Sequence, residues 1–316
     1  ARAGAAMPLK GPLLFVHGLR GTRHAMHQRP EGDIVVGCPR RWLNLPKSPK
    51  DTPRKLWPGN LLTLGFGFPN DEHVNRRDLK DGYLPLLTTW YRDGALSYEQ
   101  HSVLDTLRGS MEDVRLDDPS LLLMHVRIVN TSRTEPGVAR LLLTSRAERS
   151  LERLTLEGDR VLGTHESAPA LRYVVRGLEK GKIEPEGDGL RWTLPLSTGQ
   201  VHDVWFLIPS ITLDKEEEVA GVRGRDFDAD AARVCGFWRD VTARGCQITT
   251  PEPWLNDFFR AHLRHMIVNC FQELDSDRLH AHVGTFSYGV YPDESVMMIN
   301  NLDRRGYHDE ARRCYD

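Results

Sequence analysis

Long apolar runs are missing from this chain of 316 residues. The longest, such as Leu121–Met124, falls far short of the roughly 20 residues a helix needs to span a bilayer, so no membrane partner is expected. An excess of either charge is missing too. Lys and Arg number 42 against 44 Asp and Glu, a formal net charge of -2. Nucleic-acid binding needs a basic stripe, so no nucleic-acid partner is expected. Cysteine is sparse. Cys38, Cys235, Cys246, Cys270 and Cys314 are odd in number and form no CxxC pair. They read as mostly free, small, buried hydrophobes, which favours a reducing, cytoplasmic setting slightly over secretion. The first six residues hold no signal-peptide core, although a processed N-terminus fits them equally well.

Several catalytic motifs are also lacking. There is no Walker sequence, GxGxxG turn or Ser-x-x-Lys, so nucleotide and β-lactam chemistry have no support. Leu13–Gly18 resembles the strand and His-Gly turn that carry an oxyanion donor in α/β-hydrolases. That fold also requires a GxSxG elbow, and Gly284–Gly289 is one residue too long to supply it. His262 and His265 stand one helical turn apart, with His280 and His282 following, but no HExxH accompanies them. Solvated or hydrogen-bonded histidines are expected, with no metal and no organic cofactor.

What is present divides the chain near residue 225. One domain per ~150 residues gives about two domains. Before the division, short apolar runs alternate with turn residues. Strands are predicted at Leu61–Phe68, Ala95–Leu104, Ser120–Asn130, Ala139–Ser145, Leu171–Arg176, Leu190–Leu196 and Asp203–Ile208. Recurrent turn signals between them suggest an antiparallel β-sandwich over residues 1–222. Its first 60 residues are hard to place, and Gly32–Pro58 reads as an irregular cover. After the division the period becomes helical. Residues 223–248 read as a linker helix centred on Phe227–Arg244. Leu255, Phe258, Phe259, Leu263, Met266, Ile267, Cys270, Phe271 and Leu274 then recur at steps of three and four. Thr249 and Glu252 fit a capping box for that helix. A further helix is expected over Glu294–Arg305, stopped by Gly306, and another from Tyr307.

The chemistry is concentrated in Gly284–Ser295. A glycine- and aromatic-rich loop carrying Phe286, Tyr288 and Tyr291 delivers two adjacent acids, Asp293 and Glu294, to the start of a helix. Helix-dipole complementation explains one acid there. Aromatic rings beside carboxylates are what sugar recognition uses: ring faces meet C–H groups, and carboxylates accept hydroxyl hydrogen bonds. The expected saccharide contacts are Asp293, Glu294, Tyr291, Tyr288 and His282.

This order of parts resembles the six-hairpin glycosidases, the clan that contains the glucoamylases. Bacterial members place a β-super-sandwich first, then a linker helix, then an (α/α)6 toroid. The matching residues are Tyr291–Ser295, then Asn301–Tyr307 and Glu310–Ala311. The family has an aromatic–Pro–Arg–Asp stretch there, so Asp293 falls where the family has Arg and Glu294 where it has Asp. The resemblance implies a multi-domain β-then-α chain with residues 249–316 opening the toroid. It implies a glycoside hydrolase using the inverting route on a carbohydrate substrate, with Glu294 and Asp293 fixing the glycone and the general acid and base on later hairpins beyond this chain. A direct catalytic role for Glu294 is the secondary expectation. It also implies a chain cut short after the first hairpin, whose partners would be the rest of the toroid or a second copy. The alternative is a non-catalytic carbohydrate-binding or scaffold protein.

Overall fold

The computed structural model describes residues 14–37, 61–69, 76–147, 150–164, 169–284 and 289–315. Fifteen strands form one antiparallel sheet. The chain enters it through β1 (Phe15–His17), β2 (Met26–Gln28), β3 (Ile34–Gly37) and β4 (Leu61–Gly65), each paired with the next. A meander follows: β5 (Arg76–Lys80), β6 (Leu84–Asp93), β7 (Leu96–Thr106) and β8 (Ser120–Asn130). Next come β9 (Gly137–Ala147), β10 (Ser150–Glu157), β11 (Arg160–Thr164), β12 (Ala170–Arg176), the hairpin β13 (Lys182–Glu186) and β14 (Gly189–Leu196), and β15 (Val201–Pro209). β15 inserts between β12 and β8, which joins the meander to the rest.

Strand β8 shows why these residues pair as they do. Met124, Val126 and Ile128 are wholly buried and alternate with the more exposed His125 and Arg127, as a strand's period of two requires. Leu121–Met124 is buried without alternation. There the outer face is covered by α2 (Phe227–Ala243), which packs on β6, β7 and β8. Beneath the sheet, Phe66 meets Phe206 edge-on with ring centroids 4.8 Å apart, and Phe68 stacks on Tyr91 at 4.7 Å. One buried ion pair satisfies itself. Arg172 donates from Nε to Glu152 Oε2 at 2.8 Å and from Nη2 to Oε1 at 2.5 Å, both side chains nearly inaccessible.

The helices are α1 (Glu216–Arg223), α2, α3 (Pro253–Val268), α4 (Pro292–Arg304) and α5 (His308–Tyr315). A two-stranded hairpin, β16 (Cys270–Gln272) with β17 (Leu279–Ala281), lies between α3 and α4. No helix among the described residues is long and apolar enough to cross a membrane.

The predicted sandwich followed by a helical toroid is contradicted. Hydrogen bonding runs unbroken from β1 to β5 through one curled sheet, because β9 serves several partners along its length. Its first half pairs with β14, its second half with β4, and its end with β10. Alternation shows that each strand has a buried face but cannot show whether the strands belong to one sheet or two. Helices α1 and α2 pack on this sheet, α3, α4 and α5 pack on one another and on the β16–β17 hairpin, and one hydrophobic core runs from Leu19 to Ala311 through both. The long helix expected through Leu274 also stops early. It ends at Val268 with Asn269 as its C-cap, and Cys270 and Phe271 continue as β16. The expected capping box is absent: Glu252 makes no side-chain cap, and Thr250 instead donates to Asn256 Oδ1 at 3.0 Å. Residues 38–58 of the expected irregular cover lie outside the described residues, whereas Ile34–Gly37 form a strand.

Candidate functional site

The acid pair lies in the first turn of α4, as the sequence suggested, although the helix starts two residues earlier than expected. Tyr291 is the N-cap, Pro292 follows it, and Asp293 and Glu294 complete the first turn. Pro292 fits because a first-turn residue needs no N–H partner. Ser295 anchors this turn, donating from Oγ to Ala281 O at 2.7 Å and from its backbone N to Tyr291 O at 2.8 Å. Asp293 and Glu294 are exposed and have no hydrogen bond or ion pair among the described residues. Tyr291 is 48% exposed beside them. His282 does not join them. It is buried, its backbone N donates to Asn269 O at 2.9 Å, and its ring tilts against Phe271 at 4.5 Å. Tyr288 and Phe286 lie outside the described residues. The structure therefore brings together Tyr291, Asp293 and Glu294 at one exposed helix start and keeps His282 in the core behind it.

The four histidines weighed for a metal are dispersed. Arg305 Nη2 lies 3.4 Å from His262 Nδ1, and His280 Nε2 lies 2.9 Å from Glu273 Oε1. Among the described residues no group of three or more His, Cys, Asp or Glu side chains could hold a metal ion.

A concavity among the described residues lies elsewhere, where α2 crosses the end of β7. Asp105, with a fully inaccessible side chain, fixes the crossing. It accepts from Thr106 N at 2.7 Å, from Arg233 Nη1 at 3.0 Å, and from the Nη2 atoms of Arg225 and Arg233. Asp230 accepts from the same two arginines, at 2.8 Å from Arg225 and 2.7 Å from Arg233. This node holds α2 over a cleft of about 820 Å³. One wall is a single stripe of α2: Arg233, Gly236, Phe237, Asp240, Val241 and Arg244. These positions recur at three and four residues, so one helix face supplies them all. The opposite wall is the connection from β7 to β8, including Met111 and Glu112 of a single 3-10 turn, together with Arg20. Gly236 keeps the floor open, since an added Cβ there would meet nothing within 4 Å.

Arg20 and Glu112 also border a second lobe of about 360 Å³, walled by Asp113, Gln272, Asp277, Asp309, Arg312 and Arg313. Glu310 sits behind the two lobes. It accepts from Arg244 Nη2 at 2.5 Å and faces Arg20 at 3.9 Å. Burial alone would raise its carboxyl, but the Arg244 hydrogen bond and the nearby guanidinium charges hold it below the usual carboxylate range. Burial chiefly depresses Arg20, with Glu310 partly offsetting it.

No family model matches this chain, and a search of curated proteins finds no match to it. The reading of the cleft therefore rests on its chemistry. The two lobes together carry five arginines and five carboxylates. The arginines are largely engaged already: Arg233 by Asp105 and Asp230, Arg244 and Arg20 by Glu310, and Arg313 by Asp277 O at 2.6 Å. Asp240 and Asp309 have no hydrogen bond or ion pair among the described residues. The lining carries cations and anions in equal number, so no net positive charge selects for phosphates or nucleotides. A neutral ligand dense in hydroxyls suits the walls. Carboxylates accept from its hydroxyls, guanidinium N–H groups donate to them, and the Phe237 ring and Val241 offer apolar surface to its C–H faces. The cavity size lies in the range of small-molecule sites.

Sequence reasoning missed this cleft. Its only trace was the spacing of Arg233, Phe237, Asp240 and Arg244 on a helix read as a linker, and nothing local showed which loop would face that stripe.

Proposed function

We propose that this protein binds a neutral saccharide in the cleft between α2, α5 and the β7–β8 connection. The observation that carries this reading is the cleft's balance: charged walls with no net excess of cations, unengaged Asp240 and Asp309, and an aromatic ring beside them. Titration calorimetry with a panel of neutral oligosaccharides tests it. Binding in the micromolar to millimolar range, weakened about fivefold to thirtyfold by Asp240→Asn or Phe237→Ala, is expected from a loss of about 1–2 kcal/mol. No heat with any sugar at millimolar concentration would refute it.

A second reading, glycoside hydrolysis, is favoured by a separate observation. Asp293 and Glu294 are two solvent-facing carboxylates without counter-ions among the described residues, next to the exposed Tyr291 ring. In that reading Glu294 acts on the glycosidic bond or fixes the non-reducing sugar, as its match to the glucoamylase aspartate implies, while Asp293 and Tyr291 hold hydroxyl and ring faces. Hydrolysis needs a second carboxylate as acid or base partner. Release of reducing sugar from oligosaccharides tests it. Glu294→Gln must lower turnover by orders of magnitude with the fold intact; unchanged turnover removes Glu294 from the reaction.

A further inference from the structure

The two lobes of the cleft differ in chemistry. Met111, Phe237 and Val241, the apolar side chains of the whole lining, all belong to the first lobe. The second lobe is walled by charged side chains and Gln272 alone. The first lobe is also more than twice as large, about 820 Å³ against about 360 Å³. Glycines stand on both of its walls, Gly236 on α2 and Gly109 on the β7–β8 connection. An added Cβ at either would meet nothing within 4 Å, so both walls leave room for a bulky group.

Most polar groups of the first lobe are already spent. Arg233 is held by Asp105 and Asp230, and Arg244 by Glu310. Ser110 donates from Oγ to Glu112 Oε2 and accepts from Glu112 N at 3.3 Å. Asp240 is the exception among the described residues. A hydroxyl-rich chain laid through this lobe would leave hydroxyls unpaired, and each one buried that way costs about tenfold in affinity.

The second lobe offers the opposite. The Asp113 and Asp277 side chains are 76% and 82% exposed, and Asp309 joins them. Asp113 faces Arg115 at 3.4 Å and Asp277 accepts from Gln272 Nε2 at 3.3 Å, yet a carboxylate has about four acceptor sites, so oxygens remain for hydroxyl donors. Arg20 and Glu112 line both lobes and form the neck between them. The Arg20 guanidinium reaches Glu112 O only at 3.5 Å and Glu310 only at 3.9 Å. Contacts this long leave its N–H groups able to donate to an oxygen that passes through the neck.

We propose that the ligand of this cleft is a neutral glycoside carrying an apolar aglycone, alkyl or aryl, with the sugar in the second lobe, the aglycone in the first and the linking oxygen beside Arg20. The proposal rests on the saccharide reading of the cleft and adds the identity of the group joined to the sugar. Hydroxyls meet carboxylates in the polar lobe, and the aglycone covers Phe237 and Val241 in the apolar one. Met111 is unbranched and polarisable, which lets that wall adapt to a chain or a ring.

The test is titration calorimetry with glycosides of glucose, galactose and mannose, each in methyl, octyl and phenyl form and below any micellar concentration. Octanol and phenol serve as sugar-free controls. In at least one series the octyl or phenyl glycoside should bind at least about tenfold more tightly than the methyl glycoside, as burial of an apolar group of that size implies. The ratio of octyl to phenyl affinity tells a chain-bearing ligand from an aromatic one. Phe237→Ala, with its fold checked by circular dichroism, should lower the preference at least about threefold. Asp309→Asn should weaken all three members of that series by a common factor of about threefold or more and leave the preference intact. Equal affinity for methyl, octyl and phenyl forms would overturn the aglycone and leave the saccharide reading standing. A preference untouched by Phe237→Ala would put the apolar group outside the first lobe and overturn the proposal. Octanol or phenol binding as tightly as its glycoside, or no heat from any series, would overturn both the proposal and the saccharide reading.

Discussion

Replacing Asp105 with Asn tests how the cleft is built. The Asp105 carboxylate is fully inaccessible and accepts from the Thr106 backbone and from three guanidinium nitrogens of Arg225 and Arg233. An amide keeps one oxygen and turns an NH2 group toward donors that need acceptors. At least two charge-assisted hydrogen bonds are lost, each worth about 1.5–3 kcal/mol. Asp230 still engages both arginines, which limits the damage. The expected loss is about 3 kcal/mol of unfolding free energy, at the low end for breaking a buried ion pair. It should appear as a lower guanidinium midpoint with an unchanged slope. Because the node fixes α2 over β7, saccharide affinity should fall as well, even though Asp105 does not line the cleft. A stability loss below about 1 kcal/mol with unaltered binding would refute the claim that this node holds the two walls in register.

Other expectations follow from the same coordinates. Gly236→Ala should raise stability by about 0.5–1 kcal/mol, because a mid-helix glycine costs that much and its Cβ would enter open space; thermal denaturation measures this. Gly236→Phe should fill the cleft and abolish saccharide binding at unchanged helix content, read by calorimetry beside circular dichroism. Gly245→Ala should destabilise by about 2 kcal/mol or more, since its Cβ would lie 2.2 Å from Arg305 O and 2.4 Å from the Tyr307 ring at the corner joining α2 to α4 and α5. The pH dependence has a definite sign. Burial holds His17 at about 3 instead of 6.5, so the unfolded chain binds its proton first as pH falls. Stability from this group is complete above pH 6.5 and lost progressively toward pH 3. His17→Gln should flatten denaturation midpoints across that window.

Local order was legible where the pattern carries its own period. β8 was read residue for residue as Ser120–Asn130, and α2 was placed to within one residue of its end, because alternation and helical spacing are properties of contiguous sequence. The acid pair was likewise placed on the first turn of α4 from the apolar residues after it. β5 was not read: its residues alternate exposed and half-buried at the sheet's edge, so too little of it is buried to leave an apolar pattern. The α3 period continued through Cys270 and Phe271, yet those residues became strand, because β17 and the bridge from Gly21 to Phe271 offered their backbone better partners than another helical turn.

Sequence alone was enough to specify which residues alternate, which stripe of α2 is apolar and charged, and where helices start. Only the folded chain decided that β9 would be shared by several strands, which makes one curled sheet of what reads as two layers. It alone set the α2 stripe against Arg20, Glu112 and the β7–β8 connection. Period and capping act over one or two turns of chain. The pairing of distant strands and the meeting of distant walls depend on which surfaces can be buried together, and no local stretch of sequence encodes that choice.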